Sequence, residues 1–353
     1  MTFRSIGTSL ALLCAWMSLG GVSHSKSVHY SVVDRISAPD TAVWDHVLVD
    51  RSTPHIYLAA NGVMDVDLRT RKVTPSFVPG ALTHGLAQLN DGSIAVADGT
   101  RHVVIVFDGA TGRTIASVST EVAGVRSGWH NPDALVMEPA TGLLVAANGN
   151  AGVLLLIDTG TYKVVGQIVL GGELEAADVD GEGLLYINVA SSHSVAVVDV
   201  ARRTLSRIFA LKNCDAPTGL AYDRADGLVI TVCRNGLTKF VLARDGSEVA
   251  SISVGKGVDD VTFDPARRVA FCPSAADGML SIIAVEGTKH IFLTQRLATQ
   301  PLARLGMLDK VTGRFYLPAA VPDPGATPVL LPGIPPLPGI VHGSFVFLVV
   351  APD

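Results

Sequence analysis

The sequence predicts an all-β fold, a seven-bladed β-propeller of four-stranded blades. One pattern recurs along the chain: a short apolar run ending in an acidic residue, a turn, and a second run. The recurring runs begin at Asp45, His84, Asp133, Glu175, Thr218, Asp259 and Arg304. From 45 to 304 they advance in six steps of about 43 residues, the length of a propeller blade. No segment shows a long helical period with capping residues.

Each unit is expected to contain four short strands, which the third unit shows well. Its predicted strands are Ala134–Met137, Leu143–Ala147, Val153–Asp158 and Val164–Val169. The segments Ala140–Gly142 and Thr159–Thr161 supply turns between them. Such continuous apolar and β-branched runs are typical of strands that are covered on both faces.

The last unit lacks a fourth strand at its own end. After Phe315–Leu317 it finishes with the apolar run Ser344–Val350. The N-terminal segment Tyr30–Ile36 offers a spare strand, which we expect to close the ring as the outer strand of the last blade. Between these runs, residues 321–342 are rich in Pro and Gly and form a long loop, either an irregular insertion or a functional lid.

Residues 1–25 have the composition of a secretory signal peptide. Met1–Arg4 gives a positive start, Leu10–Met17 is apolar but short, and small residues follow before a cleavage site after Ser23 or Ser25. The alternative is a retained anchor. We therefore predict a periplasmic or secreted protein, residues 26–353 forming one propeller, with no membrane span after cleavage.

The cysteines support the same compartment. Export leaves Cys214, Cys233 and Cys272, and an oxidising compartment permits disulfides. Cys214 precedes the first strand of the fifth blade and Cys233 ends its second, and antiparallel pairing brings those two ends together. We predict a Cys214–Cys233 disulfide and a buried free thiol at Cys272.

Charge and composition exclude several classes of protein. The chain has 48% hydrophobic residues, which argues against disorder, and 27 basic against 32 acidic residues give a net charge of −5. No basic stripe or polybasic cluster is present, so we expect neither a nucleic-acid groove nor a membrane-binding surface.

Several short motifs resemble those of the YncE-like, YVTN-repeat β-propeller proteins of bacteria. They are Ile157–Thr159, Val197–Asp199, Phe263–Pro265, His84–Gly85, Asn131–Asp133, Pro217–Leu220 and Gly255–Asp259. The resemblance covers nearly the whole mature chain and implies a propeller fold and export, but no particular reaction. The strand motifs depart from a strict Tyr-Val-Thr-Asn, for example at Leu144–Asn148.

The chemistry of this chain is expected at one mouth of the central channel. The innermost strand of each blade lines the channel of a propeller, so the first residues of the seven runs should converge there. Six of these seven residues are ionisable, in a chain with only 17% charged residues. This ring, which we call the rim, consists of Asp45, His84, Asp133, Glu175, Thr218, Asp259 and Arg304. Second strands end at the same face and add Asn61, Asp98, Asn148 and Asn188, while His46, Arg101, His102, His130 and Lys256 lie in adjoining loops.

Four carboxylates in one narrow space can share protons, pair with Arg304 and a protonated His84, or bind a divalent cation. The candidate metal ligands are Asp45, His84, Asp133, Glu175 and Asp259. Carboxylate and imidazole ligands suit Ca²⁺, Mg²⁺, Mn²⁺ or Zn²⁺, depending on the geometry. The alternative is a hydrated channel whose polar residues only satisfy one another.

The favoured function is a binding module, which we expect to be a monomer, whose rim binds a small ligand, a metal ion or an envelope protein. Its ligand-binding set is Asp45, His84, Asp133, Glu175, Asp259, Arg304, Asn148 and Asn188. One alternative is a metal-dependent lactonase, hydrolase or lyase, with Asp133 or Glu175 as the base, His84 as ligand or acid, and Arg304 holding an anionic group. Another is a protein-interaction scaffold without a small-molecule site.

Overall fold

The computed structural model of this protein describes residues 1–2, 28–41, 43–122, 124, 131–331 and 334–353. The predicted signal peptide lies outside the described residues except for its first two positions, and so does His130. The described part of the chain consists of β-strands, turns and two single-turn 3₁₀ helices, Gly149–Ala151 and Ala190–Ser192. Among these residues, no helix is long and apolar enough to cross a membrane.

The strands follow one another closely along the chain. They are β1 (Tyr30–Ser37), β2 (Val47–Val49), β3 (His55–Asp67), β4 (Val73–Gln88), β5 (Ile94–Asp98), β6 (Val103–Phe107), β7 (Thr114–Ser119), β8 (Pro132–Glu138), β9 (Leu143–Asn148), β10 (Val153–Asp158), β11 (Lys163–Val169), β12 (Leu174–Val179), β13 (Leu184–Val189), β14 (Ser194–Asp199), β15 (Thr204–Ala210), β16 (Pro217–Asp223), β17 (Leu228–Cys233), β18 (Leu237–Leu242), β19 (Glu248–Ser253), β20 (Thr262–Asp264), β21 (Val269–Ser274), β22 (Met279–Val285), β23 (Ile291–Ala298), β24 (Met307–Leu308), β25 (Phe315–Ala319), β26 (Val329–Leu331), β27 (Ile334–Leu337) and β28 (Val346–Pro352).

Four sheets are antiparallel meanders of four strands: β8 to β11, β12 to β15, β16 to β19 and β20 to β23. A fifth sheet has the order β1-β28-β25-β24, in which β1 pairs with β28 from Tyr30 opposite Pro352 to Ser37 opposite Val346. The N-terminal strand therefore closes the last sheet of the ring, as predicted. This closure links the two ends of the chain and covers an edge that would otherwise be open.

The remaining large sheet runs from β2 to β7 and contains two long strands that each change direction. The chain folds back within β3 at Gly62, whose φ is +88°, and Leu68 N donates to Pro54 O at 2.8 Å. The first part of β4 pairs with β3 and its last part with β5. Divided at these points, the sheet contains two four-stranded units. The arrangement thus fits seven blades, and the blade number stays a prediction.

The core is divided among the contacts between neighbouring units. In β9, Leu143, Val145 and Ala147 pack toward the following sheet, whereas Leu144 and Ala146 pack toward the preceding one. Clusters of this kind join each pair of successive units in the described residues, and one joins the last unit to the first. Alternate residues of a strand point to opposite faces, so strands packed on both faces need the continuous apolar runs seen in the sequence.

The Pro- and Gly-rich segment 321–342 contains a small hairpin of β26 and β27. An isolated bridge between Pro322 and Ile340 holds its base. Because β24 follows Arg304 and β25 runs back antiparallel to it, the segment leaves the sheet on the face that carries the rim.

Candidate functional site

The rim is narrow because glycines follow two of its residues. A Cβ on Gly85, next to His84, would lie 2.4 Å from the carbonyl oxygen of Asp133. A Cβ on Gly219, next to Thr218, would lie 2.5 Å from the Cα of Asp260. Only glycine lets neighbouring inner strands approach this closely. The space that remains between the strands is a pocket of about 100 Å³ lined by Asp45, Asp133, Glu175, Thr218 and Asp259, among others.

Three rim residues from three successive units form one cluster. His84 Nδ1 lies 2.7 Å from Asp45 Oδ2 and 3.8 Å from Asp133 Oδ1. Each of the three residues offers one ligand atom, and these atoms lie within 4.8 Å of one another. Among the described residues, these three form the one group of carboxylate and imidazole donors spaced closely enough to hold a metal ion. We call it the Asp45–His84–Asp133 cluster.

Arg304 joins the cluster to the other side of the rim. Its guanidinium donates from Nη1 to Asp259 Oδ2 at 2.7 Å, and the same nitrogen is 4.0 Å from Asp45 Oδ1. Nη2 donates to the carbonyl oxygen of Trp44. Arg304 therefore ties the sixth, seventh and first units together, and its charge offsets part of the acidic ring.

Glu175 has a partner that the sequence analysis did not include. Arg234 Nη2 donates to Glu175 Oε1 at 3.0 Å. Arg234 directly follows Cys233 at the end of β17, and its side chain is 52% exposed. The position of Arg234 just after a second strand could have placed it near the rim from sequence alone. Which carboxylate Arg234 pairs with depends on how two neighbouring sheets pack.

The acidic residues of the rim differ in the direction of their pKa shifts. Burial disfavours a charged imidazole, but the hydrogen bond and charge of Asp45 outweigh burial and raise the pKa of His84 to about 9. Burial also opposes ionisation of Asp45, yet His84 and Arg304 lower its pKa. Burial raises the pKa of Asp133, and burial reinforced by Asp133 and Asp259 raises the pKa of Glu175 to about 8. These shifts favour the ionised form of Asp45 and the protonated forms of His84 and Glu175 at neutral pH.

Other predicted site residues lie behind the rim. The Asn148 carboxamide donates to Thr120 O at 2.8 Å. The Asn188 carboxamide donates to the carbonyl oxygens of Thr218 and Gly219, and its oxygen accepts from the Thr231 hydroxyl at 3.1 Å. Both side chains are fully buried. These contacts hold neighbouring strands together, and the assignment of Asn148 and Asn188 to the ligand-binding set stays a prediction.

The loop residues around the rim differ in their burial and in their hydrogen-bond partners. Asp98 is buried and accepts from Arg101 Nε at 2.7 Å and from Ala81 N at 3.2 Å. His46 Nδ1 accepts from Leu86 N at 3.3 Å, and His46 lines both the rim pocket and the channel beneath it. Asn61 is exposed.

The predicted disulfide is confirmed. Cys214 and Cys233 are joined across the ends of the first two strands of the fifth unit, with Cα atoms 5.3 Å apart. Cys272 is a buried free thiol, also as predicted, and burial raises its pKa to about 12. The bond fixes the strand end that carries Arg234, and so supports one side of the rim.

The comparisons with known proteins show the fold. No family model matches the sequence, and no curated protein is similar to it in sequence. The structure is similar to the WD40 repeats of RRP9 with a TM-score of 0.71 and 9% identity, over 92% of this chain and 99% of that chain. It is also similar to hydrazine synthase of Kuenenia stuttgartiensis, with a TM-score of 0.68 and 14% identity over 80% of this chain and 94% of that chain. A third similar structure is U3-55K, with a TM-score of 0.68 and 10% identity over 89% of this chain and 97% of that chain. The chain is therefore a β-propeller, and identities this low carry no activity over to it.

Proposed function

We propose that this protein is an exported β-propeller binding module, akin to the YncE-like proteins, whose rim binds a divalent cation. The Asp45–His84–Asp133 cluster carries this proposal, because three separate units deliver its ligand atoms to one point. Three protein ligands leave coordination positions for water or for an oxygen of a small ligand. The Cys214–Cys233 disulfide is compatible with export of residues 26–353 after removal of a signal peptide.

The donor set fits a borderline or hard cation. Two carboxylates and one imidazole suit Mn²⁺ or Zn²⁺ best, since Ca²⁺ and Mg²⁺ prefer oxygen ligands alone. A metal-bound imidazole nitrogen carries no proton, so the cation would replace the proton that His84 shares with Asp45. Arg304 stands beside the cluster, where it favours an anionic group on a ligand bound to the cation.

A second pair in the molecule has the same local geometry without the third ligand. His55 Nδ1 lies 2.7 Å from Asp65 Oδ1 in the first unit. No third carboxylate, imidazole or thiolate of the described residues joins this pair at metal-ligand spacing. The His55–Asp65 pair is therefore a matched control for the rim.

Calorimetric titration of Mn²⁺ and Zn²⁺ into metal-stripped protein tests the proposal. We expect one equivalent to bind, with affinity reduced at least tenfold, by about 1.4 kcal/mol or more, in Asp45→Asn and in Asp133→Asn. Asp65→Asn should bind like the wild type. The proposal fails if the wild type binds no cation, or if Asp65→Asn loses affinity as much as the rim variants do.

Hydrolysis at the same rim is a second candidate function, favoured by one observation. Burial and the charges of Asp133 and Asp259 raise the pKa of Glu175 to about 8, and Glu175 lines the rim pocket together with Asp133, so the rim offers a candidate general acid. A screen of lactones and esters with the Mn²⁺- or Zn²⁺-loaded protein tests this function. Turnover that Glu175→Gln abolishes would support it, and turnover equal in Glu175→Gln would exclude Glu175 as the acid.

A further inference from the structure

The channel beneath the rim widens into a cavity of about 610 Å³. The inner strands of all the units line it, and it reaches the surface at the face opposite the rim, where Lys310 and Val311 are exposed. Small-molecule sites usually occupy about 300–1,000 Å³. The cavity is thus large enough for a ligand, whereas the rim pocket above it, at about 100 Å³, accommodates little more than an ion and its water.

The walls of this cavity are mainly apolar. Leu48, Leu86, Val136, Met137, Leu220 and Met307 contribute side chains from five of the units. Val136, Met137 and Met307 are only partly buried, so part of their surface faces the open space. Water gains few hydrogen bonds against such walls, and an apolar molecule that displaces it buries hydrophobic surface on both sides.

The polar groups of the wall are largely satisfied by the backbone. Asp178 accepts from Val179 N and from Tyr222 N, each at 2.8 Å, and Asp260 accepts from Val261 N at 2.8 Å. Because these carboxylates already accept backbone hydrogen bonds, a ligand gains little by bonding to them.

His46 provides a directional contact in the cavity. Because its Nδ1 accepts from Leu86 N, its ring proton lies on Nε2. No described residue accepts a hydrogen bond from Nε2, so this donor is available to a ligand in the cavity that His46 lines.

We infer that the channel is a second binding site, for an uncharged and mainly apolar small molecule that carries a hydrogen-bond acceptor such as a carbonyl oxygen. The molecule enters from the face opposite the rim, packs against Val136, Met137 and Met307, and accepts from His46 Nε2. This site uses different side chains from the Asp45–His84–Asp133 cluster, and its ligand needs no cation.

Fluorescence titration with prodan, an uncharged naphthyl ketone, tests the inference on the full mature protein. We expect saturable binding of one molecule per chain with a blue-shifted emission. Val136→Trp and Met307→Trp fill the cavity from two different units and should each weaken binding at least tenfold. Val169→Trp makes the same kind of change on an outer strand where Val169 is 68% exposed, and should leave binding unchanged.

Two further measurements separate this site from the rim and from misfolding. Asp133→Asn should keep prodan binding while it loses the cation, so the two proposals fail independently. A brominated naphthyl ketone soaked into wild-type crystals should place its bromine in the channel, whether or not the tryptophan variants fold. The inference is overturned if prodan does not saturate, if folded Val136→Trp and Met307→Trp both bind it normally, or if the bromine lies elsewhere.

Discussion

The rim and the channel wall come from the same inner strands, yet they are held together differently. At the rim, Arg304 and His84 satisfy carboxylates that belong to other units. A few residues further along the strands, Leu86 packs between two units, and Asp178 bonds to the backbone of the next strand. Charged groups are tolerated at strand ends because water and partners reach them, whereas strand centres must pack on both faces. Changes at the rim should therefore act through charge, and changes in the wall through packing.

The largest expected effect is on the pH dependence of stability, and it belongs to the rim. The pKa of Glu175 is about 8 in the folded protein against an ordinary value of 4.5. Between these values the folded state holds a proton that the unfolded state has lost, so stability falls as the pH rises from about 4.5 to about 8. Each unit of pKa difference corresponds to about 1.4 kcal/mol. Urea unfolding across this pH range should show a flatter profile for Glu175→Gln.

The exposed Glu182 provides the control for this experiment. Glu182→Gln should keep the wild-type profile. A Glu175→Gln profile that is parallel to the wild type would show that Glu175 ionises normally in the folded rim.

Truncation of a side chain in the channel wall should lower the free energy of unfolding nearly as much as ionisation of Glu175 does. This loss should not depend on pH. Leu86 is 2% exposed, and Leu86→Ala removes buried surface and leaves a cavity, which we expect to lower the unfolding free energy by about 3 kcal/mol. Val169→Ala on the exposed outer strand should change it by less than about 0.5 kcal/mol. Urea unfolding at pH 5 and pH 8 measures both. A loss for Leu86→Ala that differs strongly between the two pH values would contradict the proposed division between packing and charge.

Two arginines lie on different sides of the rim, and their contributions to stability can be compared. Arg304 is 31% exposed and bonds to Asp259 and to Trp44 O, whereas Arg234 is 52% exposed and bonds to Glu175. Arg304→Met leaves a carboxylate and a carbonyl without their donor, and we expect a loss of about 2 kcal/mol. Arg234→Met should cost less than about 1 kcal/mol. Equal losses in thermal unfolding would show that Arg304 is as replaceable as a surface residue.

The smallest expected effect on cation binding concerns a side chain just behind the rim. Asn188→Ala removes hydrogen bonds to Thr218 O and Gly219 O, and we expect it to lower stability by about 1–2 kcal/mol. If Asn188 is structural, Mn²⁺ affinity should stay within about twofold of the wild type. A tenfold loss of affinity with little loss of stability would support Asn188 as a ligand-binding residue.

The sequence predicted what depends on repetition and strand direction. The period places Asp133, Glu175 and Thr218 at the starts of β8, β12 and β16, and antiparallel pairing brings Cys214 to Cys233. Contacts between units were harder to foresee. The pairing of Glu175 with Arg234, the burial of Asn148 and Asn188, and the width of the channel all depend on how two sheets pack, which no local pattern encodes.

Elemental analysis of untagged protein obtained from a secreting host tests the central claim, that the Asp45–His84–Asp133 cluster is a cation site. The account predicts about one equivalent of Mn²⁺ or Zn²⁺ per wild-type chain, lost in Asp45→Asn and in the double variant Asp133→Ala/Asp259→Ala, and retained in Asp65→Asn. Wild-type protein without a stoichiometric cation, or one that these rim variants retain, would contradict it and leave the rim as a ring of ion pairs.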